Sequence, residues 1–130
     1  MIIDTSAMVA MLQLEPEATA MLKLLSPRRD SKLSAANYLE CGIVIDKPKD
    51  PAASADLDAL INTLNIEIVP VTHEHAKIAR QAYRDFGKWS GHKAKLNFGD
   101  CFAYALAMER GEPLLYKGND FVHAGLGRLV

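Results

Sequence analysis

Met1-Ile2-Ile3-Asp4-Thr5-Ser6-Ala7 runs two β-branched residues into a carboxylate and then into two hydroxyl residues. Met8, Val9, Met11 and Leu12 follow at helical spacing. Isoleucine is stiff at χ1 and favours strands, while Thr and Ser are good helix N-caps. The stretch therefore reads as a short strand that ends at Asp4 and turns at once into a helix, with Thr5 or Ser6 as cap. A buried strand tolerates little charge, so Asp4 belongs at its C-terminal end. Open α/β sheets place their ligand sites beyond that end of their strands. Asp4 is thus either a plain turn-and-cap residue or the first member of a site, and the other acids decide between the two.

Outward from this stretch the chain alternates. Helical spacing covers Met8–Leu14, then Ala18–Leu25 after Glu15-Pro16-Glu17. Lys32-Leu33-Ser34 suits a short strand, and Ala35–Asp46 a third helix that stops before Pro48. A fourth helix spans about Ala52 to Leu64, and Ile66–Val71 alternates as a strand. Thr72 caps a fifth helix, His73–Phe86, and a basic loop leads to a sixth, Gly99–Arg110. Pro113–Tyr116 reads as a strand, Lys117–Phe121 as a turn, and Leu129-Val130 as a last strand. Strands alternating with helices predict an α/β fold. The expectation is a mostly parallel sheet of four to five strands with helices on both faces, in one domain over residues 1–130.

Composition narrows the class. With 49% hydrophobic and 24% charged residues the chain is ordinary globular protein, long enough to bury a core. The net charge of −1 excludes a simple polybasic nucleic-acid binder and leaves room for local patches. No apolar run approaches the roughly 18 residues that span a bilayer, so no membrane association is expected. Cys41 and Cys101 lie far apart and form no CxxC pair. With no signal peptide visible at the start, they point to a reducing cytoplasm.

Three further acids stand out. Glu40 shares a helical phase with Ala36, Ile43 and Val44, where a lone carboxylate is expensive unless paired or metal-bound. Asp100 heads a helix that carries no other charge until Glu109, the pattern of a core element. Asp120 follows a strand end, with Asn119 beside it. Each also has an ordinary reading, as buried ion pair, helix-terminal acid or turn residue. Two carboxylates ~4 Å apart cost roughly 4 kcal/mol at an effective dielectric near 20. A hard divalent cation relieves that repulsion. Oxygen-only ligands favour Mg²⁺ or Mn²⁺ over Zn²⁺. Such an ion activates water and stabilises phosphoryl charge, which is phosphodiester hydrolysis chemistry.

These residues carry a resemblance. Asp4 in Met-Ile-Ile-Asp-Thr-Ser-Ala, Glu40 in Asn-Tyr-Leu-Glu, Asp100 in Gly-Asp-Cys-Phe-Ala and the Leu-Leu-Tyr-Lys-Gly-Asn-Asp-Phe close are similar to those of PIN domains. More narrowly, the whole chain resembles the VapC-type toxins of bacterial toxin–antitoxin pairs. The resemblance implies a Mg²⁺- or Mn²⁺-dependent endoribonuclease, a homodimer, and inhibition by a small VapB-type antitoxin. Asp4, Glu40 and Asp100 match the three most regular acids of the family and are the expected catalytic metal ligands. Thr5 and Ser6 are expected to orient Asp4. At the fourth acid the chain departs, with Gly118 where many members carry a carboxylate. Asp120, Asn119 or a water is left to take that part. The departure also keeps open a catalytically degenerate PIN domain that binds RNA or a partner without cutting. A haloacid-dehalogenase-like phosphatase expects a second Asp two residues after the first, where Ser6 stands.

RNA must also be held. Lys77, Arg80, Arg84 and Lys88 fall within an arc of roughly 80° on a helical wheel, and Lys93 and Lys95 follow in the loop. From Lys77 to Lys95 six basic residues face one acid, Asp85, a local charge of +5. Such a surface suits backbone phosphates, and Trp89 in the same loop suits a splayed base. The same stripe also fits the solvated face of an amphipathic helix. His73-Glu74-His75 lacks the HExxH spacing of a zinc site. Met and Leu side chains on the first two helices are expected to be exposed and to suit a partner.

Overall fold

In the computed structural model, which describes residues 1–130, four parallel strands form the sheet. These are β1 (Ile2–Ile3), β2 (Lys32–Ser34), β3 (Glu67–Val69) and β4 (Leu114–Leu115), in the order β3-β2-β1-β4. The opening strand is therefore central, with Ile2 in register with Lys32 on one side and Leu114 on the other. Successive strand residues point to opposite faces. Ile3, Leu33 and Leu115 join one core cluster, and Ile2, Val69 and Leu114 another.

The helices divide between these two cores. α1 (Thr5–Leu12), α2 (Ala18–Leu25), α3 (Ala35–Asp46) and α4 (Pro51–Thr63) cover the Ile3 face. α5 (His73–Phe86) and α6 (Phe98–Arg110) pack closely on each other over the Ile2 face. Both faces are covered, as the alternating pattern predicts. Local chemistry sets the helix ends. Asp50 caps α4 with Pro51 in its first turn, and Thr72 and His75 make a capping box on α5. Gly111 ends α6 at φ 62°, in the left-handed region that a glycine enters without strain. No helix is long and apolar enough to cross a membrane.

Several expectations are corrected. α1 begins at Thr5, and its N-cap is Asp4 itself, not Thr5 or Ser6. Leu129 and Val130 form no strand, so the sheet stops at four. The turn after β4 continues into a single helical turn, α7 (Asp120–His123). Met8, Met11 and Met21 are buried in the Ile3-side core, because the two short helices lean on the sheet with their sulfur-bearing faces inward. Most consequential is α3. Its buried side is Asn37, Cys41 and Ile45, while Leu39 and Ile43 are each 63% exposed and Val44 is exposed too. A helical wheel says which residues share a face and not where that face points. Glu40 thus borders an exposed apolar surface instead of lying in the core.

Candidate active site

Asp4 stands where β1 gives way to α1, with 2% of its surface exposed. Its Oδ2 accepts hydrogen bonds from the Ser6 amide (2.9 Å) and the Ser6 hydroxyl (2.6 Å). Ser6 Oγ in turn accepts from the amide of Lys117, just past β4 (2.9 Å). The adjacent strands thereby lock the carboxylate through one hydroxyl. Asp4 Oδ1 is buried and has no hydrogen-bond partner. Burial pushes the Asp4 carboxyl up to about 7, against the two Ser6 hydrogen bonds, with Asp100 and Glu40 adding smaller repulsions.

Asp100 occupies the first turn of α6 in a capping box. Its amide donates to Asn97 Oδ1 (2.8 Å), and its Oδ2 accepts from the Asn97 amide (2.9 Å). Burial raises this carboxyl to about 6, opposed by the Asn97 bond and helped by Asp120 and Glu40. Glu40 lies on the neighbouring helix, and its carboxylate rests against Gly99. A Cβ at that position would come within 2.0 Å of Glu40 Oε2. Asp4, Glu40 and Asp100 therefore line one pocket of about 400 Å³, together with Thr5, Ser6, Glu15 and Lys117.

The three acids share this pocket without crowding. No three His, Cys, Asp or Glu side chains stand close enough to hold an ion as placed. Mutual repulsion favours that spread. The donor set still fits a hard divalent cation: three carboxylates, no nitrogen or sulfur, and one buried oxygen with nothing to bind. Asp4 and Asp100 each commit Oδ2 to a cap, and neither Oδ1 accepts a hydrogen bond.

The remaining expected residues are placed differently. Asp120 is exposed and does not line the pocket, yet it is near enough to raise the Asp100 carboxyl. Asn119 turns away, and its Oδ1 accepts from Arg128 in the C-terminal tail (2.5 Å). Lys77, Arg80, Arg84, Lys88, Lys93 and Lys95 are all exposed, as a solvated face requires. Lys77 pairs with Glu74 at 3.8 Å. Lys88 lies close enough to Asp100 to lower its carboxyl pKa, which links the basic loop to the acidic pocket. Arg80 and Arg84 border a groove of about 360 Å³ with Tyr83, Phe98 and Phe102. Trp89 is 89% exposed at the loop tip.

Glu15 and Lys117 on the pocket wall, and Asn37 and Gly99 packed behind the acids, are features that local sequence patterns do not single out. Asn37 stands one helical turn before Glu40, an offset that brings side chains together. A glycine in the first turn of an apolar helix is a similar signal, since Gly weakens helices and is kept where space is short. Lys117 bonds to Glu15 and Glu17 across the pocket rim. No local pattern announces that contact, because it exists only once β4 lies beside β1.

Comparison with known proteins agrees with this architecture. The family model described as PIN domain matches residues 1–126. The chain belongs to the PIN-domain family. It is 54% identical over 130 residues to Ribonuclease VapC28 of Mycobacterium tuberculosis, covering 100% of this chain and 98% of that relative. Its relatives place this PIN domain among the VapC proteins. Among solved structures it resembles VapC20 of M. tuberculosis, described as a Sarcin-Ricin loop cleaving toxin, with a TM-score of 0.74. Identity there is 18%, over 97% of this chain and 95% of that one. A toxin–antitoxin complex from Klebsiella pneumoniae matches with a TM-score of 0.73 at 17% identity, over 99% and 95% of the two chains. At those identities the two structures speak for the fold alone.

Proposed function

We propose that this PIN-domain protein is the toxin of a toxin–antitoxin pair, a Mg²⁺- or Mn²⁺-dependent endoribonuclease acting in the cytoplasm. One observation carries the reading: the buried, unpartnered Oδ1 of Asp4 beside a pocket shared with Glu40 and Asp100. The naming of a 54% identical relative as a VapC ribonuclease supports it. Asp4, Glu40 and Asp100 would hold the ion, which when bound supplies an activated water and stabilises charge on a phosphoryl oxygen. Ser6 keeps Asp4 oriented, and Thr5 starts the helix that fixes it. Asn97 does for Asp100 what Ser6 does for Asp4. Asp120 adds negative potential near Asp100, while Asn119, held by Arg128, braces the turn. Water adds to phosphorus as the bond to the 3′ oxygen breaks, which leaves a 3′-hydroxyl and a 5′-phosphate.

The substrate backbone would lie along Lys77, Arg80, Arg84, Lys88, Lys93 and Lys95, with Trp89 offering a face to an unstacked base. The partners are a VapB-type antitoxin and a second copy of this chain. For the second copy, the supporting feature is the apolar surface of Leu39 and Ile43 that continues into Phe98, which is 77% exposed. That surface borders Glu40 and Gly99, so the two sites of a dimer would flank its seam.

Protein freed of antitoxin is expected to cut RNA in the presence of Mg²⁺ or Mn²⁺ and to stop in chelator. Asp4→Asn and Asp100→Asn are each expected to reduce cleavage to background in a gel assay. Wild-type cleavage by either variant would remove the proposed site. Tight RNA binding by the wild type with no cleavage in Mn²⁺ would leave the binding-module reading instead.

A further inference from the structure

Asn37 is 0% exposed, in the middle of the polar cluster, and has no part in the proposed hydrolysis. Its Nδ2 stands 3.0 Å from the Gly99 carbonyl, 3.2 Å from Thr5 Oγ1 and 3.4 Å from Glu40 Oε1. One amide nitrogen thus reaches α1, α6 and its own helix, next to each of the three acids. Thr5 adjoins Asp4, Gly99 adjoins Asp100, and Glu40 is touched directly. With two hydrogens for three acceptors, one hydrogen is shared, and the longer contact to Glu40 is the adjustable one. The amide cannot be turned around, because that would set its oxygen 3.0 Å from the Gly99 carbonyl oxygen.

The other end of the side chain shows what it is kept for. Asn37 Oδ1 is buried with no hydrogen-bond partner. Most buried side-chain polar atoms have a hydrogen-bond partner, so an orphaned one calls for a reason. A leucine would fill the same space with no orphaned oxygen. Asn37 retains that burden for its donor end. The Glu40 carboxylate is also confined by Gly99, where an added Cβ would come within 2.0 Å of Glu40 Oε2.

We propose that Asn37 is a positioning residue, whose amide holds Glu40 and ties together the backbone segments carrying Asp4 and Asp100; this rests on the nuclease reading above. Asn37→Leu removes the donor at nearly constant volume. Asn37→Asp keeps the shape and replaces the donor with oxygen. Both are compared with wild type in the full chain by thermal melting, by Mn²⁺ titration read from the electron paramagnetic resonance of free ion, and by RNA cleavage kinetics. A folded variant is expected to bind Mn²⁺ about 10–100-fold more weakly and to lose at least about tenfold in kcat. Its KM for RNA should stay within about twofold, because the basic residues are untouched. A folded variant with wild-type Mn²⁺ affinity overturns the proposal. Failure of both variants to fold also overturns it, by assigning Asn37 to stability. A wild-type protein that neither binds Mn²⁺ nor cuts RNA removes the nuclease reading itself, an outcome distinct from equal behaviour of wild type and variants.

Discussion

Asp4 holds two roles that pull against each other. As an N-cap it is best ionised, yet burial favours its protonated form and pushes its carboxyl up to about 7. An acid whose pKa is higher folded than unfolded binds its proton more tightly in the native state. Its stability contribution is then fully present below the unfolded value near 4 and is lost as pH rises through about 7. At alkaline pH the loss is about 4 kcal/mol. Asp100, raised to about 6, shifts stability in the same direction over a lower window. Asp4→Asn keeps an oxygen for the Ser6 bonds and removes the charge. In chelator it is expected to be more stable than wild type at pH 8, by roughly 1–4 kcal/mol, and close to wild type at pH 4. Urea melts at the two pH values check this. Equal stability at pH 8 would mean that Asp4 is not strained by its surroundings. The gain in the variant would come with loss of cleavage, the trade that functional sites commonly show.

Helix α6 meets α3 through one glycine, and that contact can be tested. Gly99→Ala improves helix propensity by up to ~1 kcal/mol, but its methyl would occupy the place of the Glu40 carboxylate. Melting temperature should hold or rise while cleavage falls at least about tenfold. Full activity would show that Glu40 needs no fixed seat. On α5, replacing Lys77, Arg80 and Arg84 together by Gln should raise KM with kcat kept. It should also flatten the salt dependence of RNA binding, by a log–log slope of about 2 for three phosphate contacts to a single strand. An unchanged slope would return the stripe to an ordinary solvated face. These elements also show what the sequence discloses. Strand-to-helix turns are local, so Ile2-Ile3-Asp4 is legible from a few residues, whereas Asn97 as the cap of α6 lies inside what reads as loop. The direction in which α3 points is not, because Leu39, Ile43 and Val44 look like core until the packing is known. Asn37 was hidden for the same reason, as its three acceptors come from three elements.

For the molecule as a whole, two surfaces remain to be covered: the basic side of α5 with its loop, and the apolar ridge of Leu39, Ile43 and Phe98. Ile43→Asp places a charge on that ridge without altering a residue that lines the acidic pocket. It is expected to weaken self-association by roughly 30-fold or more, seen as a shift from dimer to monomer in sedimentation velocity at micromolar concentration. A wild-type protein that is already monomeric would reassign the ridge to another partner. The position of β1 has one more consequence. Ile2 and Ile3 lie between β2, about thirty residues along the chain, and β4, more than a hundred residues along it. During synthesis at ~5–20 residues per second, β4 follows β1 by on the order of 6–20 s. Until then Ser6 lacks the Lys117 amide that anchors it, and the rim from Glu15 to Lys117 is open. The central strand therefore has both its neighbours, and Asp4 its full bracing, only after almost the whole chain has been made.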